Sequence, residues 1–151
     1  MLNISIVIVN FNSGRLLKAA VGQIQARCRG YELVVVDNHS SDGSADFLRR
    51  EKSARLIEMD HNCGFGAAAN VGAASSKGDF LLFLNPDAFI GPDTPERMAT
   101  YLSGEPKRGL CGAFLLDFRG CEQAGSRRRD PTLPRSCGKV LSALVPGAQL
   151  S

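Results

Sequence analysis

Four short apolar runs, each ending abruptly in asparagine or aspartate, constrain this chain more than any other feature. Asn3 to Val9 passes into Asn10-Phe11-Asn12, and Glu32 to Val36 into Asp37-Asn38. Arg55 to Met59 passes into Asp60-His61-Asn62, and Phe80 to Leu84 into Asn85-Pro86-Asp87. Runs this short, rich in β-branched or aromatic residues, read as buried strands, the first of them central. Proline cannot donate to a sheet ladder, so the last run stops at Asn85.

Segments with helical period lie between the runs. Leu16, Leu17, Ala20, Val21 and Ile24 predict a helix from about Ser13 to Ala26, with Ser13 as N-cap. Ser40 to Ser44 is turn chemistry that also caps a short helix burying Phe47 and Leu48. Ala67 to Ala74 predicts a third helix, whose small side chains allow close contact with a sheet. Thr94, Pro95 and Glu96 read as the N-cap, first position and dipole-matched acid of a fourth, with Met98, Tyr101 and Leu102 as its apolar stripe. Leu110 to Leu116 reads as another strand. Past Asp117 the pattern decays, and only Val140 to Val145 reads as a short helix or strand.

Strands alternating with helices predict an α/β fold with a mostly parallel sheet and flanking helices. Right-handed crossovers put the loops after the strands on one edge. Asn10 to Asn12, Asp37-Asn38, Asn62 to Gly66 and Asn85 to Asp87 then meet on a single rim, where open α/β sheets bind ligands. Residues 1–118 form the expected α/β domain, with an irregular region at 119–151.

Composition removes several alternatives. A net charge of +3 is too small to indicate a nucleic-acid partner. The five cysteines form no Cys-x-x-Cys pair, which argues against a zinc ribbon or disulfide framework and for reduced thiols in a cytoplasmic protein. No apolar run approaches the ~20 residues of a membrane span. Ile4 to Val9 is short for a signal peptide and lacks a basic leader.

Each rim loop has a chemical reading. Asp87, just past a strand end, suits a divalent cation that also holds a diphosphate. Asp37 and Asn38 can pair with the N3–H of uracil or thymine or with a ribose hydroxyl, or can form an Asx turn. Asn62 to Gly66 reads as a phosphate-binding turn at a helix N-terminus and equally as a plain strand-to-helix turn. Gly64 to Ala69 also matches the dinucleotide fingerprint G-x-G-x-x-A, which would make the chain a dinucleotide-dependent oxidoreductase. Asn70 can bond a nucleotide or pack against a neighbouring loop. Arg127-Arg128-Arg129 reads as a solvated loop or as a binder of pyrophosphate, a lipid diphosphate or an anionic membrane surface. His39 and His61 have no ligand spacing.

Together these residues resemble the family-two glycosyltransferases of the GT-A fold. The matching segments are Ile4 to Asn12, Val36 to Ser44, Asn62 to Gly72 and Phe83 to Asp87. Arg128 to Leu133 is similar to the Arg-x-x-Pro-Thr region of the rhamnosyltransferase-like branch. The resemblance implies inverting transfer of a rhamnose-like sugar from a thymidine or uridine diphosphate donor to a glycan or polyprenyl-diphosphate-linked acceptor. It implies that Val9, Asn10, Phe11, Asp37 and Asn38 serve the base. Asn85-Pro86-Asp87 stands at the family's Asp-x-Asp, so Asp87 would bind Mg²⁺ or Mn²⁺ and Asn85 face the ribose. Asn62, Gly64, Gly66 and Asn70 complete the expected donor site. The family places its general base in an acidic motif further along a longer chain, which this sequence does not reach. The resemblance therefore covers a nucleotide-binding half, read as truncated, and leaves open a non-catalytic nucleotide-sugar binding module. Its setting would be cytoplasmic, with peripheral contact at the inner face of the membrane.

Overall fold

A computed structural model of the chain describes residues 2–28, 30–117 and 119–123. The chain divides into two compact units, Met1–Cys111 and Gly112–Ser151. In the first, strands β1 (Ile4–Asn10), β2 (Glu32–Asp37), β3 (Arg55–Glu58) and β4 (Phe80–Leu84) alternate with helices α1 (Arg15–Arg27), α2 (Asp46–Glu51), α3 (Phe65–Ser75) and α4 (Thr94–Ser103).

The sheet runs β3-β2-β1-β4, and every pairing is parallel. β1 is interior and buried along its whole length, as its two apolar faces require. Its alternate residues face opposite ways. Ile6 and Ile8 join Leu17, Val21 and Ile24 of α1 on one face, while Val7 and Val9 join Val34, Val36, Ala68 and Ala69 on the other. Alanine and glycine bring α3 close to the sheet. A Cβ built on Gly72 would lie 2.4 Å from Val7 Cγ1.

Several expectations fail for tertiary reasons. Phe80 to Leu84 is an edge strand among the described residues, not a buried central one, and Leu81 and Phe83 are exposed on one face. Ser13 does not cap α1. Gly14 occupies that position with a φ of +57° and no capping side chain of its own. The Ser40 to Ser44 turn does not cap α2, whose N-cap is Ala45, and α4 starts one residue early, with Asp93 at its N-cap and Thr94 already helical. α4 buries Pro95 and Ala99. Tyr101 points outward instead, its ring 4.2 Å from the Arg108 guanidinium, a favourable cation–π contact. Leu16, placed in the buried stripe of α1, is also exposed.

Leu110 to Leu116 forms no strand. A ladder needs a partner, and the described residues supply only one bridge, from Leu116 to Glu122. It closes a turn in which the Asp117 carboxylate accepts from the backbone of Arg119 and Cys121. The expectations at Arg127 to Arg129, Arg128 to Leu133 and Val140 to Val145 lie outside the described residues. Among the described residues, no helix is long and apolar enough to cross a membrane.

Candidate functional site

Because the strands are parallel, all four carboxyl ends share one edge, and the loops after them line one cleft of about 500 Å³. Val9, Phe11, Ser13 and Leu16 come from β1, its loop and the start of α1. Asn38 follows β2, Asn62, Gly64 and Phe65 follow β3, and Asn85, Pro86 and Asp87 follow β4. The convergence expected from the four interrupted runs is therefore present.

The β4 loop places the acid. Ala88 N–H donates to Asn85 O at 3.1 Å, which closes a four-residue turn with Pro86 in its second position. Asp87 follows, exposed, and lines the cleft beside Asn85. Among the described residues it is the only acidic one lining the cleft. Behind the turn, Gln23 Nε2 donates to Ile90 O, which ties the loop to α1.

Asn38 and Asn62 place the start of α3. Asn38 is 2% exposed and its amide is engaged on both sides. Its Nδ2 donates to Asn62 Oδ1 at 2.8 Å, and its Oδ1 accepts from the Cys63 N–H at 3.1 Å and from the Cys63 thiol. Asn62 Oδ1 also accepts from Gly64 N–H at 2.9 Å. Gly64 has a φ of +81°, which a Cβ would oppose, and stands at the N-cap of α3 with no acidic residue in the first turn. The free N–H end of an eleven-residue helix thus faces the cleft, a favourable place for an anion.

Residues 59–64 separate β3 from α3. That is too long for the tight strand-to-helix turn of a dinucleotide fingerprint, so Gly64 to Ala69 does not carry that geometry.

Other expected site residues sit behind the cleft. Asn10 is fully buried and shares its Nδ2 among Asp37 Oδ1 at 2.6 Å, Ser40 Oγ at 3.0 Å and Ser44 Oγ at 2.8 Å. Its Oδ1 accepts from the Ser13 hydroxyl. Asp37 is 5% exposed, and its second oxygen accepts from Ser40 N–H at 3.1 Å. Both side chains fasten the loop after β1 to the loop after β2. Gly66 and Asn70 are exposed on α3 and do not line the cleft. The sequence reading missed Ser13, Leu16 and Phe65 as lining residues. An apolar residue exposed in the first turn of each helix was the available signal for the last two.

Asp42, on the β2 loop, also went unnoticed. Its carboxyl is held below the usual carboxylate range chiefly by the Ser44 side chain, with the backbone N–H groups of Ser44 and Gly14 adding to the effect. Among the described residues no cluster of three or more His, Cys, Asp or Glu side chains could enclose a metal. The hard carboxylate oxygens of Asp87 still fit Mg²⁺ or Mn²⁺, provided that a bound diphosphate and water complete the shell.

Residues 5–144 match the sequence profile of glycosyl transferase family 2. The poly(ribitol-phosphate) beta-glucosyltransferase of Bacillus spizizenii is 35% identical over 155 residues, covering 96% of this chain and 24% of that protein. The chain spans between 24% and 44% of the length of eight curated relatives it matches. S. aureus TarS 1-349 in complex with UDP aligns with a TM-score of 0.59 and 21% identity over 68% of this chain and 32% of that one. The mannosyltransferase PcManGT from Pyrobaculum calidifontis, in complex with GDP-Man and Mn2+, aligns with a TM-score of 0.61 and 22% identity over 67% and 32%.

Proposed function

We propose a donor-binding role for this chain, which belongs to glycosyl transferase family 2 and carries the N-terminal part of the GT-A fold. The cleft takes a nucleotide-diphosphate sugar, of thymidine or uridine type, and presents it for inverting transfer to an acceptor hydroxyl on a glycan or a polyprenyl-diphosphate-linked chain. The observation that carries this reading is the meeting of Asp87, the N-terminus of α3 and Phe11 in one cleft. A carboxylate, a helix N-terminus and an aromatic face match the cation, the diphosphate and the base of such a donor. The structures complexed with UDP and with GDP-Man and Mn2+ support the same assignment through their shared fold.

In this reading Phe11 and Val9 offer the base an apolar surface, while Asn38 and Asn62 hold the α3 N-terminus toward the diphosphate. Asn85 faces the ribose. Asp87 would hold Mg²⁺ or Mn²⁺, which when bound offsets charge on the departing nucleoside diphosphate. Residues 1–118 are the donor side and 119–151 the start of the acceptor side. The rhamnose-like sugar rests on the resemblance of Arg128 to Leu133 to its branch. Arg127 to Arg129 supply the basic charge for peripheral contact with the inner face of the membrane.

A second reading, donor binding without turnover, is favoured by one observation. Inverting transfer needs a base for the acceptor proton, and among the described residues the one carboxylate lining the cleft is that assigned to the cation. Asp117 is committed to its own turn.

Calorimetric titration with UDP and dTDP, with and without Mn²⁺, tests the donor reading. Metal-dependent binding that weakens at least about tenfold in Asp87→Ala is expected. Metal-independent binding, or unchanged affinity in that variant, refutes it. A sugar-release assay over varied acceptors separates transfer from binding alone.

A further inference from the structure

The loop after β1 divides its work by alternation. Asn10, Asn12 and Gly14 turn toward the loop after β2, whereas Phe11 and Ser13 line the cleft. Asn10 bonds Asp37, Ser40 and Ser44. The Asn12 N–H donates to Ser40 Oγ at 3.0 Å, and Asn12 Oδ1 accepts from Ser41 N–H at 2.8 Å. Gly14 N–H donates to Asp42 Oδ2 at 2.8 Å, while the other oxygen of Asp42 accepts from Ser44 N–H at 2.9 Å. The two loops are thus fastened at every second residue.

Two details separate this clasp from ordinary loop packing. Asn12, between Phe11 and Ser13, adopts a φ of +50°, a left-handed conformation that asparagine tolerates. Asp42 also accepts from the N–H of Gly14, the glycine at the N-cap of α1, and so ties the start of that helix to the loop after β2. The outer rungs are made by exposed residues, Asn12 and Asp42, so they add little to the core. The rungs at Asn10 and Asn12 flank Phe11, an aromatic residue 48% exposed that lines the cleft.

We propose that Asn12 and Asp42 are positioning residues that aim Phe11 at the base of the nucleotide, an inference that rests on the donor reading above. They act on the base end alone. The diphosphate end is built from Asp87 and the start of α3, which the bonds of Asn12 and Asp42 do not reach.

The experiment compares the unaltered chain with Asn12→Gly, Asp42→Asn and Phe11→Ala, each titrated in Mn²⁺ with pyrophosphate and with the nucleotide, UDP or dTDP, that the unaltered chain binds more tightly. Asn12→Gly keeps the left-handed backbone and removes only the side-chain acceptor. All three variants are expected to weaken nucleotide binding about 3- to 10-fold, the size of one or two lost hydrogen bonds or contacts, with pyrophosphate affinity unchanged. Asn12→Asp, which retains the acceptor, should restore nucleotide affinity. Thermal unfolding of each variant confirms that it is folded.

Nucleotide affinity unchanged in folded Asn12→Gly and Asp42→Asn overturns the proposal and leaves the donor reading standing. Equal losses for nucleotide and pyrophosphate also overturn it, because the clasp would then be supporting the whole rim. Failure of the unaltered chain to bind either nucleotide removes the donor reading and the proposal with it.

Discussion

The contact between α3 and the sheet can be tested by a single methyl group. A Cβ added at Gly72 would lie 2.4 Å from Val7 Cγ1 and 3.1 Å from Val36 Cγ2. Both valines are buried, at 1% and 0% exposure, and β-branched, so neither methyl can swing aside. The helix must lift or the strands must shift, and overpacking of that kind costs about 3 kcal/mol at its upper range. Alanine regains about 1 kcal/mol of helix propensity over glycine. The net expectation for Gly72→Ala is a loss of roughly 2 kcal/mol, or about 8 °C in Tm for a unit of this size. Gly22 provides the control. It lies in the interior of α1, exposed, and a Cβ there meets nothing within 4 Å. Gly22→Ala should therefore stabilise by up to about 1 kcal/mol. Urea denaturation of both variants gives the comparison. If the two identical substitutions shift stability in the same direction, the claim that glycine at 72 is required by close helix–sheet packing is wrong.

Acid should loosen the opposite end of the sheet through Glu32. The Ser5 hydroxyl donates to its carboxylate, Lys77 N–H adds a bond of 2.7 Å, and Lys77 and Arg55 add charge, so its pKa falls below the ordinary 4.5 even though burial opposes the shift. A depressed folded-state pKa contributes stability that is complete above the ordinary value and is lost as pH falls through the lowered one. Unfolding curves between about pH 6 and 3 should fall more steeply for the unaltered chain than for Glu32→Gln, and parallel curves would reject the assignment. The exposed face of β4 should promote self-association, since Leu81 and Phe83 present 40% and 45% of their surface on an edge strand among the described residues. Replacing both by threonine should lower the sedimentation-average mass, and an unaltered chain that is already monodisperse would count against this.

The sheet was legible because its signal is local. Ile6 and Ile8 on one face and Val7 and Val9 on the other make β1 apolar on both sides, as Val35 and Val34 do for β2, and only an interior strand of a covered sheet buries both. The asparagine and aspartate stops marked the strand ends, and parallel pairing then put the stops on one edge. Where a feature depended on a partner distant in sequence, the same residues misled. Phe80 to Leu84 is as apolar as an interior strand, but interior position is a property of neighbours, and the described residues give β4 only β1. Leu110 to Leu116 shows the same limit, for apolar alternation states what a strand offers and not whether a ladder receives it. The caps failed for a related reason. Ser13 has the right chemistry for the start of α1, but its hydroxyl is drawn to Asn10, and an acceptor from twenty-eight residues away, Asp42, takes the backbone N–H beside it.

The site was legible by position and illegible by orientation. Asn10, Phe11, Asn12 and Ser13 all belong to the rim, and sequence alone favours the polar members as ligand contacts. Burial reverses that order. An amide buried at a strand end costs free energy unless its donors and acceptor are matched; the next loop's serines and carboxylate take the donors of Asn10, and Ser13 of its own loop serves the acceptor. The phenylalanine is then left facing the cleft because its neighbours on either side are engaged. Asn38 repeats the pattern one strand over, its amide spent on Asn62 and Cys63 while Gly64 and Phe65 come forward. In this rim, most polar side chains fasten one loop to the next. Among the described residues, the cleft is left with aromatic faces, backbone N–H groups, the amide of Asn85 and the carboxylate of Asp87.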